Sequence, residues 1–279
     1  MNVSALPPLL VGFSTPMVGD VEKAGTSRRE RDPLMTRDRS EPSQSCLVEI
    51  TGAAGAGKSS LTRLICQGDP DCSLADFIHT RTPVHLVYVA LSIPRLLPIL
   101  AADLAITPRL TWAEFKLLVY VTQWRRFLRR RTDHHHGVTL LDQGPIYALV
   151  RLRAEGGGVT SSRAFERWWY HMIELWAGEL SAIIWLDASD GILWDRINER
   201  AQSHRKKGEN VDVGYQFIAR YRQLFEEVFR RIEIHGGPEI LRFDTGETTS
   251  ERMAAEIQPI LAAHSQTSVE TQRRTGNSR

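Results

Sequence analysis

The chain has 279 residues, 42% of them hydrophobic, which is enough for one substantial α/β core with polar extensions. Its 35 basic and 33 acidic side chains leave a formal net charge of +2, which argues against a general nucleic-acid-binding protein. Cys46, Cys66 and Cys72 lack any C-x-x-C spacing and read as free thiols of a reducing compartment, so cytoplasm is the expected location.

Residues 1–45 are polar from Lys23 onward and have almost nothing to bury; they read as a disordered extension, without the basic start of a secretory signal. The folded unit is expected over residues 46–262, with residues 263–279 as a second disordered tail. It opens on Cys46-Leu-Val-Glu-Ile-Thr51, apolar and β-branched as a buried parallel strand should be. Next comes Gly52-Ala53-Ala54-Gly55-Ala56-Gly57-Lys58-Ser59, a gapless match to the phosphate-binding pattern G-x-x-x-x-G-K-[ST]. Backbone N–H groups of this loop, through Ser60 at the start of the following helix, should cradle nucleotide phosphates. Lys58 should reach the β/γ oxygens and the Ser59 hydroxyl should ligate Mg²⁺. The implied ligand is a nucleoside triphosphate with Mg²⁺.

Further along, Leu74–His79 reads as a second strand. The apolar stretch Val84–Ala102 is interrupted by Pro94, Arg95 and Pro98, so no membrane span is expected. Thr111 and Glu114 form a capping box at the start of a helix carrying Trp112, Phe115, Val119 and Trp124, whose first two aromatics are expected in the core. His134, His135 and His136 precede the third strand and read as a solvated helix end, not a metal site. The remaining strands are expected at Val138–Asp142, Ala182–Asp187 and Ile240–Asp244, and Trp168, Trp169 and Trp176 as packing residues.

Strands alternating with helices produce a parallel sheet covered on both faces. Ligands in such sheets bind outside the carboxyl ends of the strands, where Asp142, Asp187 and Asp244 stand. Asp142, ending an apolar strand, is the candidate second Mg²⁺-organising group or acceptor-orienting carboxylate; capping the next helix is its other role. Arg196 and Arg200 share a helix face, and the basic run through Arg205 to Lys207 leads into a loop at Gly208. That segment has the makings of a lid bringing guanidinium groups to the transferring phosphate, or else of a solvated charged helix.

Taken together, the glycine loop, Asp142-Gln-Gly-Pro145, Ile183-Ile-Trp-Leu-Asp187 with Arg196 and Arg200 beyond it, and Arg242-Phe-Asp-Thr-Gly246 resemble the thymidylate kinase and deoxynucleoside kinase branch of P-loop kinases. The resemblance implies a five-stranded parallel core, ATP as donor, Mg²⁺, a lid around Arg196–Lys207 and an adenine pocket near Thr245 and Gly246. Because Ala53, Ala54 and Ala56 put no cation in the loop, catalytic cations would come from the lid. Gln143 stands where that family carries an arginine that helps hold the acceptor, and Arg81-Thr82-Pro83 only echoes the family's Arg-Glu-Pro segment. An uncharged glutamine cannot grip a phosphate as a fork of N–H donors does.

The acceptor pocket is expected from the segment His79–Trp124 with Tyr147 and Arg151. The leading reading is an ATP- and Mg²⁺-dependent phosphotransferase acting on a nucleotide or nucleoside. A kinase of a sugar, antibiotic or natural-product hydroxyl, and a regulatory P-loop NTPase, stand as alternatives. No N-K-x-D element for guanine is present, which favours ATP over GTP. The expected partner is a small-molecule phosphoryl acceptor, with neither nucleic acid nor membrane; a homodimer is allowed but not required.

Overall fold

The computed structural model describes residues 46–69, 71–75, 83–104, 110–132, 137–199 and 210–276. All lie in the compact unit Ser40–Arg279. In chain order the elements are β1 (Cys46–Gly52), α1 (Lys58–Gly68), β2 (Cys72–Ala75), α2 (Pro83–Leu104), α3 (Trp112–Thr132), β3 (Val138–Asp142), α4 (Pro145–Glu155), α5 (Arg163–Ala177), β4 (Ala182–Asp187), α6 (Asp190–Glu199), α7 (Val211–Ile234), β5 (Glu239–Asp244) and α8 (Ser250–Gly276).

The five strands form one sheet in the order β2-β3-β1-β4-β5, every neighbouring pair parallel. β1 is central and completely buried, as its unbroken apolar run requires when helices cover both faces. Its side chains alternate: Val48 and Ile50 join the cluster built with Leu61 and Ile65 of α1 and Ile257 of α8. Leu47 joins the larger cluster on the opposite face, built with Trp124, Phe165, Trp169, Trp176 and Phe225 of α3, α5 and α7. By that period of two, Glu49 and Thr51 point to the same side as Leu47. Both are fully buried.

The expected capping box forms: the Thr111 backbone N–H donates to Glu114 Oε2 at 2.6 Å, and the Glu114 N–H donates back to Thr111 Oγ1 at 3.3 Å. Trp169 and Trp176 are packing residues whose indole N–H groups donate to the Leu149 and Val121 carbonyls, both at 3.0 Å.

Four readings need correction. The second strand spans Cys72–Ala75 and so begins before the expected Leu74–His79, because Cys72 pairs with Val138 at the start of β3. Trp112 is 67% exposed, not core: as the first residue of α3 it stands beyond the packed part of the helix, stacked on Phe115. Cys66 and Cys72 are joined as a disulfide, the turn between α1 and β2 bringing their Cα atoms to 5.1 Å. α8 continues past residue 262 to Gly276, so its described part is helical where a loose tail was expected. The lid residues Arg200 and Arg205, the histidines 134–136, and Arg81 and Thr82 lie outside the described residues.

Candidate functional site

The glycine loop joins the end of β1 to α1 at the carboxyl edge of the sheet. Gly52 has φ 143°, and a Cβ there would run into the Leu186 carbonyl oxygen of β4, so only glycine fits the turn out of the strand. Lys58, the first residue of α1, is nearly buried, and its ammonium donates to the carbonyls of Gly52 and Ala53, both at 2.8 Å. Its Nζ stands 5.4 Å from the centre of the Tyr147 ring. Ser59 and Ser60 are exposed at the mouth of the loop.

Beside the loop opens a cavity of about 610 Å³, within the size range of small-ligand sites. Gly55, Ala56, Gly57 and Ser60 form one wall; Arg196 and the turn from Thr245 and Gly246 into α8 form the other. Arg196 donates to Thr245 Oγ1 at 2.9 Å and to the Thr245 carbonyl at 2.8 Å. The structure thus brings Arg196, Thr245 and Gly246 to the glycine loop, and fixes Arg196 against the β5–α8 turn.

Two carboxylates at the strand ends are committed elsewhere. Asp187 takes Arg222 Nε at 2.6 Å and Nη2 at 3.2 Å, while Nη1 reaches Asp190 at 2.8 Å. Arg222 is held strongly protonated, first by its bond to Asp187, and it pins α7 to the β4–α6 corner. Asp244 accepts the Gly246 N–H at 2.7 Å and shapes the turn into the cavity.

Asp142 ends β3 directly beside Ile50, two residues before Gly52. Its Oδ1 is buried and has no hydrogen-bond partner among the described residues. Such an orphaned acceptor calls for a positive or donating group at that point. The following Gln143 is, among the described residues, the only non-glycine with left-handed φ, at 59°. Strain of that kind concentrates at functional sites.

The chain also holds a site residue that sequence reading missed. Glu49 accepts N–H bonds from Ile146 at 2.9 Å and Tyr147 at 2.8 Å, at the N-terminus of α4. Gly144 makes room for it: a Cβ there would lie 2.6 Å from Glu49 Cδ. Complete burial pushes the Glu49 carboxyl up to about 8, against the two backbone N–H groups that favour its charged form, while Asp142 nearby raises it further. Tyr120 of α3 lies close enough to feel that charge, and burial raises its phenol as well. One turn on, on the same helix face, the Gln123 amide is buried with neither its oxygen nor its nitrogen paired among the described residues. The available signal was a lone acid inside an otherwise apolar strand.

The central strand, the glycine loop capping α1 and the parallel order β2-β3-β1-β4-β5 settle the architecture. The chain has the P-loop NTPase fold. No family model and no curated protein matches the chain. Among solved structures it is similar to deoxyadenosine kinase from M. mycoides with bound dATP, at 12% identity over 77% of this chain and 98% of that one, with a TM-score of 0.47. It is also similar to thymidylate kinase from Candida albicans, at 14% identity over 79% and 92% of the two chains, with a TM-score of 0.49. Among the described residues no helix is long and apolar enough to cross a membrane.

Proposed function

We propose that this chain is an ATP- and Mg²⁺-dependent phosphotransferase that moves the γ-phosphoryl group to a small molecule, a nucleoside or nucleotide. The observation that carries this reading is the glycine loop with Lys58, which has a cavity on one side and a polar group at the ends of β1 and β3 on the other. On one side is the cavity at Arg196, Thr245 and Gly246, which we assign to the donor's base and ribose. On the other, the ends of β1 and β3 meet the N-terminus of α4 at the polar group Glu49, Asp142 and Tyr147. An enzyme that only hydrolysed a triphosphate would need the cavity and a water; we assign the polar group at β1 and β3 to the acceptor.

The residues fit Mg²⁺. Ser59 offers an exposed hydroxyl, and Asp142 an orphaned carboxylate oxygen. When bound, Mg²⁺ supplies charge neutralisation on the phosphate oxygens. The chain's own part is to position. The loop N–H groups hold the phosphates, and Lys58 turns from the Gly52 and Ala53 carbonyls to the oxygens that gain charge. Asp142 would help hold the ion or orient the acceptor hydroxyl. Arg200 and Arg205 are proposed to complete the cation set from a lid, with Arg196 bracing the donor pocket.

Gln143, uncharged beside Asp142, favours an acceptor hydroxyl without its own phosphate at that point. Nucleosides therefore come before nucleoside monophosphates, with a sugar or natural-product hydroxyl as the second reading. A screen of nucleosides, nucleoside monophosphates and sugars, followed by ADP release, tests this. ADP release stimulated by nucleosides is expected. A rate unaffected by every acceptor leaves only an NTPase.

A further inference from the structure

A second cavity, of about 620 Å³, lies between α2, α3 and α5 and shares no residue with the one beside the glycine loop. Four arginines line it: Arg95 from α2, Arg125 and Arg126 from α3, and Arg167 from α5, with His171 one turn beyond Arg167. No aspartate or glutamate is among its lining residues. Arg125 is ion-paired with Glu179, and Arg167 reaches only a carbonyl of its own helix, that of Arg163, at 3.4 Å. Arg95, Arg126 and His171 have no hydrogen-bond or ion-pair partner among the described residues. Arg95, Arg126 and Arg167 are exposed side chains that line one hollow without a counter-charge among the described residues, so an anion there would meet a positive field.

Two further observations bear on what the hollow could hold. Trp168 is 8% exposed and lines this cavity from α5. The floor is apolar, from Ile99, Met172 and Leu175. An apolar floor below several arginine side chains suits a small molecule with an apolar body and anionic groups, and guanidinium forks match phosphate oxygens in particular.

We infer that this cavity is a second binding site, for a phosphorylated small molecule whose phosphate groups are held by Arg95, Arg126 and Arg167 and whose apolar part rests on Ile99, Met172 and the Trp168 ring. Both loop nucleotide and second ligand carry phosphates, so the test separates the two sites by variant. Inorganic tripolyphosphate is the probe, titrated calorimetrically into the full chain without Mg²⁺. The wild-type protein should show two sites, and Lys58→Ala should keep one of them. Adding Arg95→Gln, Arg126→Gln and Arg167→Gln to Lys58→Ala should abolish the remaining binding while leaving the melting temperature of Lys58→Ala unchanged. Arg126→Glu alone, an exposed substitution that spares the core, should weaken the Lys58-independent site by about ten-fold or more, the worth of one charge-assisted contact. In Lys58→Ala, tripolyphosphate should also slow hydrogen exchange across residues 95–99, 122–126 and 167–172. Loss of all binding in Lys58→Ala, or binding unaffected by Arg126→Glu and by the triple substitution, would overturn the site. Neither result bears on phosphoryl transfer at the loop, which ADP release measures separately.

Discussion

At the scale of single residues, the site is organised by charges that the strands carry to one edge and the helices complete. Lys58→Ala removes the cation nearest the loop, and Ser59→Ala the hydroxyl offered to Mg²⁺; each should lower kcat by 10² or more, about 3 kcal/mol of transition-state stabilisation, while circular dichroism stays unchanged. Asp142→Asn should shift the Mg²⁺ titration to higher concentration and cut activity with little loss of stability, since its Oδ1 supports no hydrogen bond that a mutation could break. Glu49 provides a pH dependence of another kind. Its carboxyl is held near 8 in the fold, above the ordinary value of 4.5, so the fold favours the protonated form. The stability this contributes is full below pH 4.5 and is lost progressively as pH rises to 8, with a slope of up to about 1.4 kcal/mol per pH unit. Denaturant unfolding from pH 5 to 8 should show that decline in the wild-type protein. In Glu49→Gln this part of the slope should be missing, whatever its absolute stability; equal slopes in the two proteins would refute the assignment. The loop residues were legible because glycine, lysine and serine at fixed spacing leave few alternatives. Glu49 was not, because nothing in the chain near it announces that α4, almost a hundred residues later, brings two N–H donors to it.

At the scale of elements, strands and caps could be read and commitments between elements could not. Val138–Asp142 and Ala182–Asp187 are where their apolar runs place them, since a strand buried on both faces admits little else. Asp187 ends its strand as expected, yet it is occupied by Arg222, which arrives from α7 thirty-five residues on. No local pattern carries that pairing. Arg222→Ala should therefore destabilise the protein by about 1–2 kcal/mol, a figure lowered for its partial exposure, and leave KM for ATP nearly unchanged. Arg196→Ala should do the reverse. It loses two bonds to Thr245 on the wall of the cavity assigned to the donor, so KM for ATP should rise several-fold with little change in melting temperature. A fall in kcat alone would place Arg196 at the transferring phosphate instead. Trp112 shows a different limit: helical spacing identifies a face but not how far along the helix the core extends.

At the scale of the whole molecule, the order β2-β3-β1-β4-β5 puts the glycine loop at the centre of the carboxyl edge. The cavity beside the glycine loop lies toward β5, and the polar group of Glu49 and Asp142 toward β3. Alternation of strands and helices made the parallel sheet legible, and the carboxyl-edge rule made the position of the glycine loop legible. The meeting of α3 and α4 over β1, where Glu49 lies, was not, because it depends on contacts between residues far apart in the chain. The central claim is transfer, and the fate of the γ-phosphoryl group tests it most directly. With γ-³²P-labelled ATP, Mg²⁺ and a nucleoside panel under single-turnover conditions, the label should appear on a nucleoside in one-to-one proportion with ADP, and Lys58→Ala should abolish it. Label recovered only as inorganic phosphate, at a rate the nucleosides leave unchanged, would contradict the account.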